Sequence, residues 1–531
     1  MKKRVIAGLL AFAWLSALEA QRIHDPNDAL YHDIDQWVAR GYITDMVPLI
    51  RPYPAQLIDA LLAQVLDRGN AEAREKATGY QKNIAPGSRL IHAGVNGSIE
   101  GENDDVAAEG AIFADGVIRI RGWISAGYSM FIQGGTRTPG KELNVPGTYS
   151  PYPDLVSDTA NIGPLNLFQN WTSMLSVGQH NFYVQAGLGR TAWGPFYDTS
   201  VIVGPQAGRA GHFSLNYRRP RWSFEMLFLA LTASDDYGDG FFPEKYTVAH
   251  SINFNILPNL EVGFLESVIW GGRLEFLYLI PFVQLFGAQA LSDFGDNSFM
   301  GFHIRWNTGY HIQVLTQVYI DDLHLNDVMR LKFNTKYKLA GELGLVWAPP
   351  EGPLASLAGD YTLVFPYMYT HWHVPDTGDP TYLRDVPNYF TYSHMGRNLG
   401  ASLEPNSDRI SLRSRWRTLR NFDVAVSAYL TRHGNPSAGV DMSEGRHDGS
   451  IFDDGVTSDD GNNYSTLHFL TQPLLDIRLA GGFGVIWSLP TTFGVFSLNA
   501  DYILEYGWNR GLAENHDGLT HYWSIGGSWR F

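Results

Sequence analysis

The chain has 531 residues, 18 % of them charged and 13 % aromatic, with 55 Gly, no Cys and a formal net charge of −15. Without Cys, disulfide scaffolds, Cys-ligated zinc, iron–sulfur clusters and thiol nucleophiles drop out, and the acidic balance lacks the basic footprint of a general nucleic-acid binder. A mean hydropathy of −0.16 excludes a polytopic helical membrane protein, and the wealth of aromatic and β-branched residues excludes disorder.

Lys2, Lys3 and Arg4 precede an uncharged, mainly apolar run, and Ser16, Ala17 and Ala20 supply small residues for cleavage near Gln21. This is the pattern of a secretory signal peptide. Asp25 is then placed to cap a helix opened by Pro26, with Leu30, Ile34, Trp37 and Val38 at helical spacing. A second helix is expected from Pro54, with Leu57, Leu61, Leu62 and Val65 on one face and Gly69 past its end. A third, mostly polar helix is expected from Ala71 to Lys76.

From about Arg89 the apolar period changes from 3.6 to 2. Ile118, Ile120, Ile124, Ala126, Tyr128, Met130 and Ile132 form one such series, and Phe496, Leu498, Ala500, Tyr502 and Leu504 another. A soluble sandwich also alternates, so two further features decide. At the chain end, Trp523, Ile525, Trp529 and Phe531 lie on one face of a terminal strand, a pattern like the signal that hands outer-membrane barrels to their assembly machinery. Tight turns near 178–180, 219–220, 258–259, 308–309, 419–421 and 490–491 also alternate with long loops. Those loops lie near 136–168, 191–211, 233–245, 271–297, 369–408, 432–473 and 507–519. Outer-membrane barrels have short periplasmic turns, long outer loops and, in bacterial single chains, an even number of strands. Counting back from Phe531 gives about eighteen strands beginning near Arg89. Residues 464–470 look like a strand, but parity puts them inside an outer loop. The expected organisation is a signal peptide (1–20), a periplasmic helical region that could plug the lumen (21–86) and an antiparallel transmembrane β-barrel in the cell outer membrane (87–531).

Several segments resemble the capsule assembly Wzi family. Leu277, Tyr278 and Pro281 match its aromatic-Pro segment. Gly295-Asp296-Asn297-Ser298 matches its Asp-Asn approach to a strand, and residues 317–323 its Gln-rich strand ending in acids. Arg190 to Val203, with Trp193-Gly194-Pro195, resembles a second family segment. Gly41-Tyr42-Ile43 and Arg51-Pro52-Tyr53 resemble the helical region before that family's barrel. The resemblance implies an eighteen-strand outer-membrane barrel that binds surface polysaccharide, with no cofactor.

Local chemical motifs are weak. Gly135-Thr136-Arg137-Thr138-Pro139-Gly140-Lys141 nearly forms a phosphate loop, but Glu142 stands where Ser or Thr is required. His371 and His373 with Asp376 could hold a metal, and Asp453, Asp454, Asp459 and Asp460, or Asp235, Asp236 and Asp239, could hold calcium. A His- and Tyr-rich loop and solvated acidic surfaces are the favoured readings, so neither a metal nor an enzyme is expected. By alternation Arg413, Arg415 and Arg417 face the lumen, opposite Ile410, Leu412 and Trp416. Lys332, Lys336, Lys338, His303 and Arg305 do likewise, as do the acids Glu342, Asp360 and Asp501. This basic cluster either balances lumenal acids or attracts anions. In the outer loops Tyr149, Tyr152, Trp372, Tyr382, Tyr389 and Phe390 could stack on sugar rings, and Arg384 could meet glycan carboxylates. The leading expectation is a lectin-like barrel whose partners are outer-membrane lipid, surface polysaccharide and, through Phe531, the barrel assembly machinery. A porin or gated channel is the alternative, and an outer-membrane enzyme is a third reading.

Overall fold

The computed structural model describes residues 25–26, 28–82, 84, 89–120, 122–136, 160–162, 165–195, 199–235, 240–292, 295–323, 329–330, 337–371, 386–419, 421–438, 447–453 and 468–531. Its 18 long strands form one closed antiparallel barrel. In chain order they are β1 (Arg89–Glu102), β2 (Asp105–Ile120), β3 (Ile124–Gly135), β4 (Leu165–Gln179), β5 (Phe182–Gly189) and β6 (Ala210–Arg219). Next come β7 (Trp222–Ser234), β8 (Phe241–Leu257), β9 (Leu260–Gly271), β10 (Asn297–Asn307), β11 (Ile312–Leu323) and β12 (Tyr337–Trp347). The circuit ends with β13 (Leu354–Val364), β14 (Ser407–Leu419), β15 (Phe422–His433), β16 (Asp476–Thr491), β17 (Gly494–Trp508) and β18 (Gly518–Arg530). Strand number and starting residue agree with the parity count. The part of 464–470 that is described, 468–470, is not strand.

The alternation is that of a wall between lipid and a polar interior. On β10, Met300, Phe302, Ile304 and Trp306 are exposed on the outer face, while His303 and Arg305 are buried inside. Closure gives each strand a partner on both sides, whereas an open edge in hydrocarbon would leave a row of backbone groups unsatisfied. Short turns lie at one end and long connections at the other. One connection at the long-loop end is nevertheless a tight turn, 103–104, with Asn103 in the left-handed region at φ 51°.

The seam is closed by β18 on β1, from Gly94↔Arg530 to Glu102↔Tyr522. Phe531 continues it: its N–H donates to the Ala93 carbonyl (2.9 Å) and its carbonyl accepts from Ala93 N–H (3.0 Å). Trp529 and Phe531 both stay exposed on the outer face, their rings 5.6 Å apart. Replacing both with Ser removes the last apolar outward pair at the seam and is expected to lower the amount of folded, heat-modifiable barrel recovered from outer membranes. Wild-type recovery would show that the terminal aromatics are dispensable for assembly.

Before the barrel come α1 (Ala29–Ala39), α2 (Ala55–Arg68) and α3 (Ala71–Lys82). The cap of α1 is Asp28, whose side chain accepts the Leu30 N–H at 2.9 Å, rather than Asp25. The helix therefore starts three residues later than Pro26. Gly69 ends α2 as expected, and α3 runs a turn and a half beyond Lys76. Leu30, Ile34, Trp37, Leu57, Leu61 and Val65 form the buried core of this region, joined by Tyr183 of β5. The helical region sits in the short-turn mouth. Arg119 of β2 donates to Ile84 O (3.0 Å), Ser125 of β3 to Gln56 Oε1 (2.8 Å), Gln185 of β5 to Pro52 O (3.1 Å) and Arg305 of β10 to Val47 O (3.0 Å).

Candidate functional site

In the lumen the segment after α1 meets the inward-folded connection between β5 and β6, and both contribute buried residues there. Ile50–Arg51 pairs antiparallel with Ala192–Trp193, Ile50 opposite Trp193. Leu49, Ile50, Trp193 and Val201 are at most 3 % exposed and share one apolar cluster with Phe299 and Tyr319 of the wall. Glu225 reaches in from β7 and accepts the Leu49 N–H at 3.0 and 3.2 Å and the Ile50 N–H at 3.2 Å. A carboxyl group thus accepts the edge donors of a short strand that, among the described residues, is paired on one side only.

Above this level the connection between β13 and β14 descends into the lumen. Tyr369 donates to Val201 O (2.6 Å), and its ring stacks on Tyr392 with centroids 5.6 Å apart. Tyr392 packs on Phe299 (4.9 Å) and Tyr319 (5.5 Å), whose hydroxyl meets Ser267 Oγ at 2.6 Å. Lys245 Nζ, fully buried, donates to Asn388 O (3.1 Å), Thr391 O (2.6 Å) and Ser393 Oγ (3.2 Å). Asn388 Oδ1 receives the N–H groups of Phe390 (3.2 Å) and Thr391 (3.0 Å), and Asn388 N–H donates to Ser234 O (2.8 Å).

The expected binding residues Tyr389 and Phe390 lie on this pinned turn, both half-buried. The Tyr389 ring rests on Gly271 and Gly272; a Cβ at Gly271 would come within 2.1 Å of it. Its hydroxyl pKa is raised, first by burial and then by the nearby Glu244 carboxylate. The Phe390 ring lies 5.3 Å from His371, and Asn297 Nδ2 donates to its carbonyl at 3.0 Å. Trp372 and Arg384 lie outside the described residues, as do His373, Asp376, Tyr149, Tyr152, Tyr382 and the 135–142 motif beyond Thr136.

The arginines of β14 face the lumen, and each has a partner there. Arg413 pairs with Asp360 of β13. Arg415 Nη2 lies 3.1 Å from His32 Nε2 of α1. Arg417 pairs with Asp33 (2.5 Å), with Glu72 of α3 and with Asp423 (3.6 Å). Two rungs of this basic series therefore join the wall to the helical region. Lys336 and Lys332 lie outside the described residues, whereas Lys338 Nζ donates to Thr370 O at 3.0 Å. Glu342, also inward, accepts from Gln317 Nε2 (2.9 Å) and from Thr199.

Asp33 anchors the contact of α1 with the wall. Burial alone would raise its carboxyl pKa, but the Lys76 ammonium and the Arg417 guanidinium outweigh that, and it is lowered from its ordinary value. A depressed carboxyl contributes stability that is complete above its unfolded value of ~3.9 and disappears as pH falls through the folded value. Hydrogen exchange of the α1 amides is therefore expected to accelerate below about pH 4. In Asp33→Asn it should already be fast at pH 7 and lose that acid dependence, docking being weakened by about 2–3 kcal/mol. Unchanged exchange in the variant would show that the ion pair does not hold the helix.

The opposite side of the lumen differs. Along β1 and β15–β18 the inward positions include Asn96, Asp423, Ala425 and Asp501, all exposed. Of the acidic groups, Asp453 is buried and accepts from Ser437 Oγ (3.0 Å) and Gly449 N–H (2.8 Å). Asp235 is buried and accepts from Gly240 N–H (2.8 Å). These two acids organise their loops instead of forming solvated surface, because each satisfies backbone or hydroxyl donors. Their companions lie outside the described residues. Among the described residues no group of three His, Asp or Glu is placed to hold a metal.

No protein-family model and no curated protein matches the chain. Among solved structures it is similar to Wzi of Escherichia coli, an outer-membrane protein involved in group 1 capsule assembly and described as a carbohydrate-binding β-barrel. That similarity has a TM-score of 0.56 and 12 % identity over 95 % of this chain and 98 % of Wzi. OprD of Pseudomonas aeruginosa (TM-score 0.41, 8 % identity, 83 % of this chain and 94 % of OprD) and OccAB2 of Acinetobacter baumannii (0.43, 9 %, 83 % and 97 %) are also similar. The resemblance to Wzi thus holds at the level of fold, and the fold is that of an outer-membrane β-barrel.

Proposed function

We propose that this outer-membrane barrel holds a cell-surface polysaccharide at its long-loop end, with that end facing outward and the helical region 21–86 plugging a periplasmic mouth after signal-peptide removal. The observation that carries this reading is the turn 388–394. Its backbone is fixed by Lys245 and Asn388, and it holds Tyr389 and Phe390 as partly accessible, half-buried residues. Rings held this way lose little conformational entropy when a sugar face stacks on them. The fold likeness to Wzi covers the helical region as well as the barrel, and Wzi is described as carbohydrate-binding.

Binding of the purified protein to a glycan array that includes its own cell's surface polysaccharide tests the proposal. Retention of that polysaccharide supports it; no binding to any array member overturns it. A gated passage is the second reading, favoured by the exposed lumenal Asn96, Asp423 and Asp501. Planar-bilayer recording separates the two, because a plugged lectin barrel is silent and a porin conducts.

A further inference from the structure

The connection after β9 begins at the long-loop end, where an outer loop was expected, and its described part, 272–292, folds down the outside of the wall. Side-chain parity places it there. Glu225, Ala249 and Ser267 pack inside, so Phe224, Met226, Val248, Val268 and Trp270 point outward, yet each of those five is at most 3 % exposed. Tyr278, Leu285 and Ala288 of the connection cover them. Phe282 stacks on Phe224 with centroids 4.0 Å apart, and Tyr278 meets Trp270 edge-on at 4.9 Å. Trp270 is level with Tyr246 of β8 and Phe224 with Ile252. That descent is about 20 Å of strand, or about 15 Å of height at the usual tilt, more than half of the ~25 Å apolar band of such barrels.

The wall is built for this cover. Three outward polar groups would face hydrocarbon without it, and each meets a partner on the connection. His250 Nδ1 lies 3.3 Å from Val283 O, and Glu266 faces the backbone N–H groups of Leu285 and Phe286 at the start of α4 (Leu285–Ser292). Ser298 donates to Gln289. At the root, Asp296 receives Arg273 (2.5 Å) and the Tyr278 hydroxyl (2.7 Å). From Phe276 to Ser292 the connection has no charged residue. Its far side exposes Phe276 (71 %), Ile280 (49 %), Phe282 (64 %) and Leu291 (89 %), continuous with Phe254, Phe264 and Phe302 on the bare wall beside it. Four large apolar side chains facing water would be anomalous; on the wall they extend the lipid-facing band.

We propose that residues 273–292 are a membrane-embedded hairpin whose outer face binds the acyl chains of the bilayer. Because the chain has no Cys, Phe276→Cys, Ile280→Cys and Phe282→Cys each carry one bimane label in the full-length protein. The labelled proteins are reconstituted in dioleoylphosphatidylcholine vesicles and quenched either by mid-chain nitroxide lipid or by aqueous iodide. Leu412→Cys on the bare wall and Asn515→Cys in the loop before β18 serve as references. Hairpin labels should be quenched by nitroxide lipid as strongly as Leu412→Cys and several-fold more than Asn515→Cys, with the reverse order for iodide. Iodide quenching at the Asn515→Cys level overturns the proposal. So does shielding from both quenchers with cross-linking between copies, which would make a second chain the occupant. Three independently labelled, exposed positions keep the test decisive if one variant fails to fold.

Discussion

Truncating Glu225 to Ala should unseat the lumenal strand and raise the conductance of the barrel in planar bilayers. Glu225 is 1 % exposed and takes both Leu49 N–H and Ile50 N–H on its carboxylate. Loss of the carboxyl oxygens strands two buried backbone donors, at about 1–3 kcal/mol each. The docked state should lose about 3–5 kcal/mol, enough to raise the undocked population by two to four decades. Glu225→Gln keeps one acceptor oxygen and should fall between. Hydrogen exchange at Leu49 and Ile50 reports the same event without relying on current. If exchange accelerates and the conductance does not rise, other lumen contacts make the seal. If neither changes, Glu225 is not the latch.

The barrel was readable because two signals act over short distances: a period of 2 fixes each strand's faces, and loop lengths fix which end each strand faces. The inward turn of Arg413, Arg415 and Arg417 followed from the same alternation. Their partners did not, since Asp33 lies 384 residues from Arg417 and nothing local couples them. Glu225 left a trace in the sequence, a single acid inside the apolar run 224–231, which marks an inward position with a task. The hairpin left another: His250, Glu266 and Ser298 break the apolar series at outward positions of β8–β10, which bare lipid would not tolerate. Loop length shows that a connection is long but not whether it rises into water, folds into the lumen or descends the wall. That choice depends on which surface offers partners, and those partners come from strands far apart in the chain.

Lys245→Met should abolish most glycan retention while leaving a heat-modifiable barrel. Met matches the length of the side chain and suits the buried site, but the Asn388 and Thr391 carbonyls and Ser393 Oγ lose the donor they share. An uncompensated buried carbonyl costs about 1–3 kcal/mol, and the turn can relieve that by moving toward water. Tyr389 and Phe390 would then have to be ordered again at each binding event, a cost of about 0.5–1.5 kcal/mol per side chain on top of the backbone. Affinity is expected to fall by about tenfold to a hundredfold, equivalent to about 1.4–2.8 kcal/mol. Gly271→Ala should act in the same direction through the other contact of the turn, because its Cβ would occupy the space of the Tyr389 ring. A Lys245→Met barrel that binds as tightly as wild type would move the glycan contact away from the 388–394 turn.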